Sequence, residues 1–300
     1  MKPRYGHILI ATDFSEMAEQ AVVAAADIAQ RSGAELTLAH VFDPSPYLQL
    51  LEPRSPDEAE QAMGASARKE LDRIARAELG GVERVHTVAV RNPSAAAGIC
   101  DHAAKHDVDL IVVGTRGRTG LVKMLLGSVA ARLVRHAPCD VLVIRGDVTW
   151  PVHHIVAPTD LSDNSSRAVE AAGQMHGTYG GKLSLLHVLD ESVPVPRGEG
   201  YGLADPEELA KKLHEKLEAL RAQMLPEREN VEVVVRPAGS PIAGICDYAD
   251  DNDVDLVVVA THGRTGLAAM LIGSVSEHVV QESTRPVLVV RSNVTPPDES

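Results

Sequence analysis

Apolar and polar positions alternate in blocks along this chain, and the blocks follow the same order in each half. In the first half, residues 7–12 (HILIAT) and 109–114 (DLIVVG) are apolar runs of strand length, and the second run reads as buried on both faces. Between them lie longer segments with helical spacing, such as residues 15–33, which end at a glycine. Strands that alternate with helices predict βαβ units and a parallel sheet covered by helices on both faces.

The second half repeats the first. Residues 107–129 align without a gap with residues 253–275, and 17 of these 23 positions are identical. Other matched segments keep the same order and an offset of 146 or 147 residues, for example ATDFS at 11–15 and PTDLS at 158–162. Because this period far exceeds that of solenoid repeats, it indicates duplication of a whole domain. We predict an α/β protein of two tandem open five-stranded parallel-sheet domains, residues 1–147 and 148–300.

A glycine-containing stretch follows the fourth predicted strand of each half. Residues 114–128 read GTRGRTGLVKMLLGS, and residues 260–274 read ATHGRTGLAAMLIGS. Glycine permits positive φ and close approach of backbone to a ligand, arginine suits phosphate, and the N–H groups of a helix start favour anions. The pattern matches neither a Rossmann fingerprint nor a P-loop. The residues that predict a phosphate site are Arg116, Gly117, Arg118, Gly127 and Ser128, and in the second half His262, Gly263, Arg264, Gly273 and Ser274.

The first strand of each half ends in a Thr-Asp pair, Thr12-Asp13 and Thr159-Asp160. In an open parallel sheet, ligands bind beyond the carboxyl ends of the strands where the strand order reverses. If the first and fourth strands are neighbours there, the aspartate and the glycine stretch flank one crevice. Each aspartate then accepts hydrogen bonds from ribose hydroxyls, or it caps the following helix together with Ser15 or Ser162. Arg118 and Arg264 have a second interpretation as solvated side chains.

Composition narrows the classes of partner. The formal net charge is −13 and aromatic residues make up 3% of the chain, which argues against nucleic-acid and anionic-membrane partners. Three widely spaced cysteines indicate reduced thiols, and no apolar run reaches the roughly 18 residues of a membrane span. We therefore expect a soluble cytoplasmic protein without a metal site. His40 and His187, beside the ends of the second strands, are expected to be packed or hydrogen-bonded rather than catalytic.

The signature Gly114-x2-Gly117-x9-Gly127-Ser128 resembles the nucleotide-binding signature of the universal stress protein family. The surrounding segments ILIATDFS, GSPIAGI and PVLVVR are also similar to that family. The resemblance implies the strand order 3-2-1-4-5 and binding of ATP, ADP or AMP, with or without Mg²⁺. It implies pairing of two domains through their last strands, as a pseudo-dimer within one chain, and a further homodimer. It places Asp13 at the ribose, Val41 at the adenine edge, and Gly114, Gly117, Gly127, Ser128 and Val129 around the phosphates; the matches are Asp160, Val188, Gly263, Gly273, Ser274 and Val275.

One departure and two alternatives stay open. Ala260 replaces the first glycine of the second signature, and its methyl group is tolerated where φ is negative. The leading hypothesis is a nucleotide-binding regulatory protein of the stress response. A slow ATPase or phosphotransferase, with Asp13 or Asp160 holding Mg²⁺, is the first alternative. A scaffold in which one or both sites are vestigial is the second.

Overall fold

The structure, a computed structural model, describes residues 4–45, 56–115, 126–146, 150–192, 205–261 and 273–291. The chain divides into two compact units, the first ending at Arg145 and the second beginning at Gly146. Each unit is an open α/β layer structure and is described by itself. None of the helices in the described ranges is long and apolar enough to cross a membrane.

The first unit is a parallel five-stranded sheet in the order β3-β2-β1-β4-β5, which confirms the order implied by the family resemblance. Its elements alternate strictly between strand and helix. In chain order they are β1 (His7–Ala11), α1 (Glu16–Ser32), β2 (Glu35–Phe42), α2 (Pro56–Glu78), β3 (Val85–Arg91), α3 (Ala95–Lys105), β4 (Leu110–Gly114), α4 (Ser128–His136) and β5 (Asp140–Ile144).

The second unit repeats this plan, with the parallel order β8-β7-β6-β9-β10. The duplication seen in the sequence is therefore a duplication of the fold. Its elements are β6 (His154–Pro158), α5 (Asp163–Tyr179), β7 (Lys182–Asp190), α6 (Pro206–Met224), β8 (Val231–Ala238), α7 (Pro241–Asp251), β9 (Leu256–Ala260), α8 (Ser274–Glu282) and β10 (Val287–Val290).

Local signals explain where the helices begin and end. Ser15 caps α1 by accepting a hydrogen bond from the Ala18 N–H, and Gly33 ends the helix in the left-handed conformation with φ of 69°. Alanines on the inner face of α1 are buried against the sheet, which lets the helix approach the central strands closely. The central strands β1 and β4 are buried along their middle residues, as their continuous apolar runs predict.

Two further features concern the proline-containing connection after β2 and the cysteines of α3 and α7. Residues 43–58 contain four prolines, which disfavour regular structure, but α2 already begins at Pro56, where the missing proline N–H costs no helical hydrogen bond. Residues 46–55 lie outside the described ranges. Cys100 and Cys246 are part-exposed, whereas the adjacent Ile99 and Ile245 are buried.

Candidate functional site

A crevice of about 320 Å³ opens at the carboxyl ends of β1 and β4 in the first unit. These strands are neighbours in the sheet. After β1 the chain continues to β2 on one side, and after β4 it continues to β5 on the other, so the crevice lies at the topological switch point. The described residues predicted for this site all line it, together with the wall provided by α3. The predicted residues in the lining are Thr12, Asp13, Val41, Gly114, Gly127, Ser128 and Val129.

The turn from β1 into α1 presents Asp13 to the crevice. Its Oδ1 accepts hydrogen bonds from the Ser15 backbone N–H at 3.2 Å and from the Ser15 hydroxyl at 2.6 Å. Ser15, not Asp13, is the N-cap of α1. Asp13 therefore does not cap the helix itself. Its carboxylate orients Ser15, which is the capping residue, and it also lines the crevice.

The opposite wall is the start of α4. Gly127 is the N-cap residue, no side chain among the described residues caps the helix, and no acidic residue lies in its first turn. The backbone N–H groups of this turn and the helix dipole create a positive end at the crevice, which suits an anion. The sequence-based prediction that Ser128 begins a helix is confirmed.

The reason for glycine at position 127 differs from the expected one. Its φ is −61°, which any residue can adopt, so positive φ is not the requirement. A Cβ at this position would lie 2.7 Å from the Thr115 carbonyl oxygen, which accepts a hydrogen bond from the Gly127 N–H. The glycine is required because two stretches of protein backbone meet here.

The first signature glycine is also explained by packing. A Cβ on Gly114 would lie 2.8 Å from the backbone oxygen of Met17, in the first turn of α1. The direction of this Cβ is toward the helix, not toward the start of α4. In the second unit Ala260 takes this place, and neither residue is among the positive-φ positions of the described ranges. The Ala260 side chain is buried in the second unit, and the residue equivalent to Met17 there is Asn164.

The second unit has a matching crevice of about 320 Å³. Asp160 Oδ1 accepts from the Ser162 N–H at 3.1 Å and from the Ser162 hydroxyl at 2.5 Å, as in the first unit. Gly273 caps α8 without a side-chain bond, and its N–H donates to the Thr261 carbonyl. The predicted residues that line this crevice are Thr159, Asp160, Val188, Gly273, Ser274 and Val275.

A histidine supports the aspartate turn in each unit. The Nδ1 atoms of His40 and His187 donate to the Thr12 and Thr159 carbonyls, each at 2.8 Å. In the first unit Phe14 also stacks on His40, with ring centroids 4.3 Å apart. These contacts match the hydrogen-bonded role predicted for both histidines.

Six of the predicted residues lie outside the described ranges: Arg116, Gly117, Arg118, His262, Gly263 and Arg264. Sequence reasoning also missed parts of the lining. Ile99 and Ile245 face the crevices from α3 and α7, one helical turn after Ala95 and Pro241, and that spacing was a usable signal. Within the described ranges, no group of three or more His, Cys, Asp or Glu side chains is arranged to hold a metal ion.

The fold and the paired crevices define a tandem protein of two open α/β units, each with a ligand-sized cavity at its switch point. The sequence profile of the universal stress protein family matches residues 4–145 and again residues 151–291. The chain therefore belongs to the universal stress protein family, with one family domain in each unit.

Relatives and structures extend over both units. A universal stress protein of Mycolicibacterium smegmatis is 31% identical over 298 residues, covering 96% of this chain and 97% of the relative. One from Mycobacterium tuberculosis is 30% identical over 296 residues, with 96% and 97% covered. The crystal structure of a universal stress protein from Archaeoglobus fulgidus aligns with a TM-score of 0.70 at 19% identity, covering 96% of this chain and 99% of that one. The last comparison supports the fold.

Proposed function

We propose that this protein is an adenine-nucleotide-binding regulatory protein of the stress response, and that each unit holds one nucleotide in its crevice. The observation that carries the proposal is the pairing, in both crevices, of a fixed carboxylate with an uncapped helix start across an apolar wall. Such a pairing matches the three chemical parts of a nucleotide. The family to which the chain belongs, and the signature that it carries twice, support the same assignment.

The carboxylate suits the ribose. Asp13 and Asp160 are held in one orientation by the serine two residues further on, so little ordering is needed when a diol binds. Each carboxylate lies beyond the end of the first strand of its unit, at the edge of the sheet where ligands bind, and acidic residues accept hydrogen bonds from ribose hydroxyls in dinucleotide-binding folds. A bound Mg²⁺ would be supplied with one protein carboxylate per crevice, which is within the range that this ion uses beside substrate phosphates.

The helix start suits the phosphates. The first-turn N–H groups of α4, at Ser128 and Val129, border the crevice, and Ser274 and Val275 do so in α8. Unsatisfied N–H groups and the positive end of the dipole stabilise phosphate oxygens at such a position.

The apolar wall suits the base. Val41 and Ile99 face the first crevice, and Val188 and Ile245 face the second. Aliphatic side chains on two sides form a slot of the kind that binds a flat heterocycle while a few polar groups fix its orientation.

Nucleotide content tests the proposal. The protein is purified without added nucleotide and denatured, and the released small molecules are identified by chromatography and mass. We expect close to two adenine nucleotides per chain, or recovery of two-site binding when ATP is added to stripped protein. A chain that releases no adenine nucleotide and shows no calorimetric binding at millimolar ATP contradicts the proposal.

Conservative variants assign the sites. Asp13→Asn and Asp160→Asn keep the acceptor for the serine but remove the charge, so each should weaken ATP binding at its own site about tenfold or more. Asp43→Asn is the matched control, because Asp43 Oδ1 accepts from the Ser45 N–H at 2.9 Å in a similar turn outside the crevice lining. The same preparations are assayed for ATP turnover. Turnover that both crevice variants abolish would favour the ATPase alternative, and turnover that neither changes indicates contamination.

A further inference from the structure

We propose that Ser276 is a positioning residue for the phosphates of a nucleotide in the second crevice. The inference rests on the proposed function, because it concerns the same crevice. Ser276 lies in the first turn of α8 and lines the crevice. Its hydroxyl donates a 2.6 Å hydrogen bond to the carbonyl oxygen of Ala260, the last residue of β9.

This hydrogen bond joins the end of β9 to the first turn of α8. The segment leaves β9 after Ala260 and returns to the helix at Ser274. A backbone bond from Gly273 to the Thr261 carbonyl joins the same two ends. Together the two bonds fix the N–H groups of the first turn of α8 relative to the end of β9. Donors that are already in place lose less conformational freedom when they bind a ligand, so they bind it more tightly.

The first unit lacks the hydroxyl that makes this bond. The residue equivalent to Ser276 is Ala130, which also lines its crevice but has no polar side-chain atom. The backbone bond from Gly127 to Thr115, 2.7 Å long, is present there as it is in the second unit. The two crevices therefore differ at this position by a single hydroxyl group. Ser276→Ala and Ala130→Ser each convert one unit to the residue found in the other.

Two other residues that differ between the units, Glu277 and Ser165, do not fix the first turn of α8 relative to β9. Glu277 stands in the first turn of α8, but its carboxylate accepts a 3.3 Å bond from Gln281, one turn further along, and it does not line the crevice. Ser165 replaces Ala18 in the second crevice, where its hydroxyl contacts Thr159 and the Ser162 carbonyl. That contact braces the turn that carries Asp160, on the ribose side.

The test compares ATP with adenosine, which lacks the phosphates. Dissociation constants are measured calorimetrically on the full chain carrying Asp13→Asn, so that the second site dominates. Adding Ser276→Ala should weaken ATP binding about three- to tenfold, the equivalent of one ordinary hydrogen bond, and leave adenosine binding unchanged. Ser276→Thr keeps the hydroxyl and should restore ATP binding. In the Asp160→Asn chain, Ala130→Ser should strengthen ATP binding at the first site.

The outcomes separate this inference from the proposed function. If ATP binds neither to the Asp13→Asn chain nor to the Asp160→Asn chain, both the proposed function and this inference are wrong. ATP binding that Ser276→Ala leaves unchanged overturns the inference alone. An equal loss of ATP and adenosine affinity also overturns it, because a merely structural role would weaken both ligands. Thermal unfolding of each variant confirms that the compared chains are folded.

Discussion

At the scale of single residues, the signature glycines act through the side chains that they lack. Gly114 and Gly127 both have backbone oxygen atoms of other segments within 2.8 Å of the position that a Cβ would occupy. Neither requires a left-handed conformation. Gly114 is therefore needed where β4 packs against the start of α1, and Gly127 is needed where the backbone before α4 meets Thr115. These packing requirements add to any contact with a ligand.

A pair of reciprocal substitutions tests this reason. Gly114→Ala should lower the free energy of unfolding of the first unit by about 1–3 kcal/mol, because the added methyl group overpacks backbone against backbone. Ala260→Gly, at the equivalent position of the second unit, should cost about 0.5–1 kcal/mol through the added freedom of the unfolded chain. Denaturant unfolding measures both. A Gly114→Ala chain as stable as the wild type would contradict the packing explanation.

At the scale of secondary-structure elements, a polar cluster joins β6, β7, β8 and α7 at the amino end of the second sheet. The Ser184 hydroxyl donates to Glu232 at 2.7 Å and lies 2.8 Å from His154 Nε2. The Tyr248 hydroxyl lies 2.7 Å from Glu232 and 3.0 Å from Ser184, and Lys182 pairs with the same carboxylate at 2.8 Å. A satisfied network of this kind stabilises the strand register, because a one-residue shift would leave buried polar groups unpaired.

Ionisation of this cluster follows from its surroundings. Burial, together with the neighbouring Glu232, raises the pKa of Tyr248 to about 12, so the phenol remains a donor at neutral pH. Burial acts to raise the pKa of Glu232, but hydrogen bonds from Lys182, Ser184 and Tyr248 outweigh it and lower that pKa below its usual value. The stabilisation from Glu232 is therefore present above its ordinary pKa and is lost as the pH falls through the lowered one.

Tyr248→Phe tests the cluster. It should destabilise the second unit by about 1–3 kcal/mol at pH 7, because Ser184 and Glu232 lose a buried partner. A double-mutant cycle with Ser184→Ala, measured by denaturant unfolding, isolates the coupling between the two side chains. Strictly additive effects would show that the hydroxyl contacts do not act as one network.

At the scale of the whole molecule, the two units have different polar residues at the amino ends of their first three strands and in the helix that precedes the fourth strand. The first unit has His102 where the second has Tyr248, and its His86 pairs with Glu35 at 3.1 Å where the second unit has Glu232 and Lys182. His7 Nε2 lies 2.8 Å from the Thr37 hydroxyl, and His102 stacks on His106 with centroids 4.2 Å apart. The two units therefore place different residues at equivalent positions of this part of the fold.

This difference predicts a dependence of stability on pH in the first unit. Burial is the largest cause that lowers the pKa of His102, and His106, His7 and Lys105 lower it further. A histidine with a lowered pKa in the folded state contributes stability above its ordinary value of about 6.5, and this contribution is lost as the pH falls through the lowered pKa. Unfolding at pH 7.5 and 5.5 should show the loss, and His102→Gln should reduce it.

The two units can be followed separately in this experiment. The chain has a single tryptophan, Trp150, which belongs to the second unit, so its fluorescence reports on that unit while circular dichroism reports on both. His102→Gln should change the pH dependence of the dichroism transition. An identical dependence in the variant and the wild type would show that His102 does not carry the effect.

The sequence by itself determined the class of fold, the duplication, and most of the described candidate site. Apolar runs and helical spacing are local properties, and the residues beyond the strand ends are tied to those runs by position alone, so Asp13, Gly127 and Ser128 could be placed from the chain. The family resemblance added the strand order, which local patterns do not encode.

Only the tertiary structure decided why particular residues occupy the crevice. The close approach of Thr115 to Gly127, the Ile99 wall from α3, and the hydrogen bond from Ser276 to Ala260 all join residues that are distant along the chain. The same holds for the polar cluster around Ser184, whose members come from four elements. Such contacts depend on how strands and helices pack in three dimensions. The periodic pattern of apolar residues shows which face of an element is buried, but it does not show which residue of another element packs against that face.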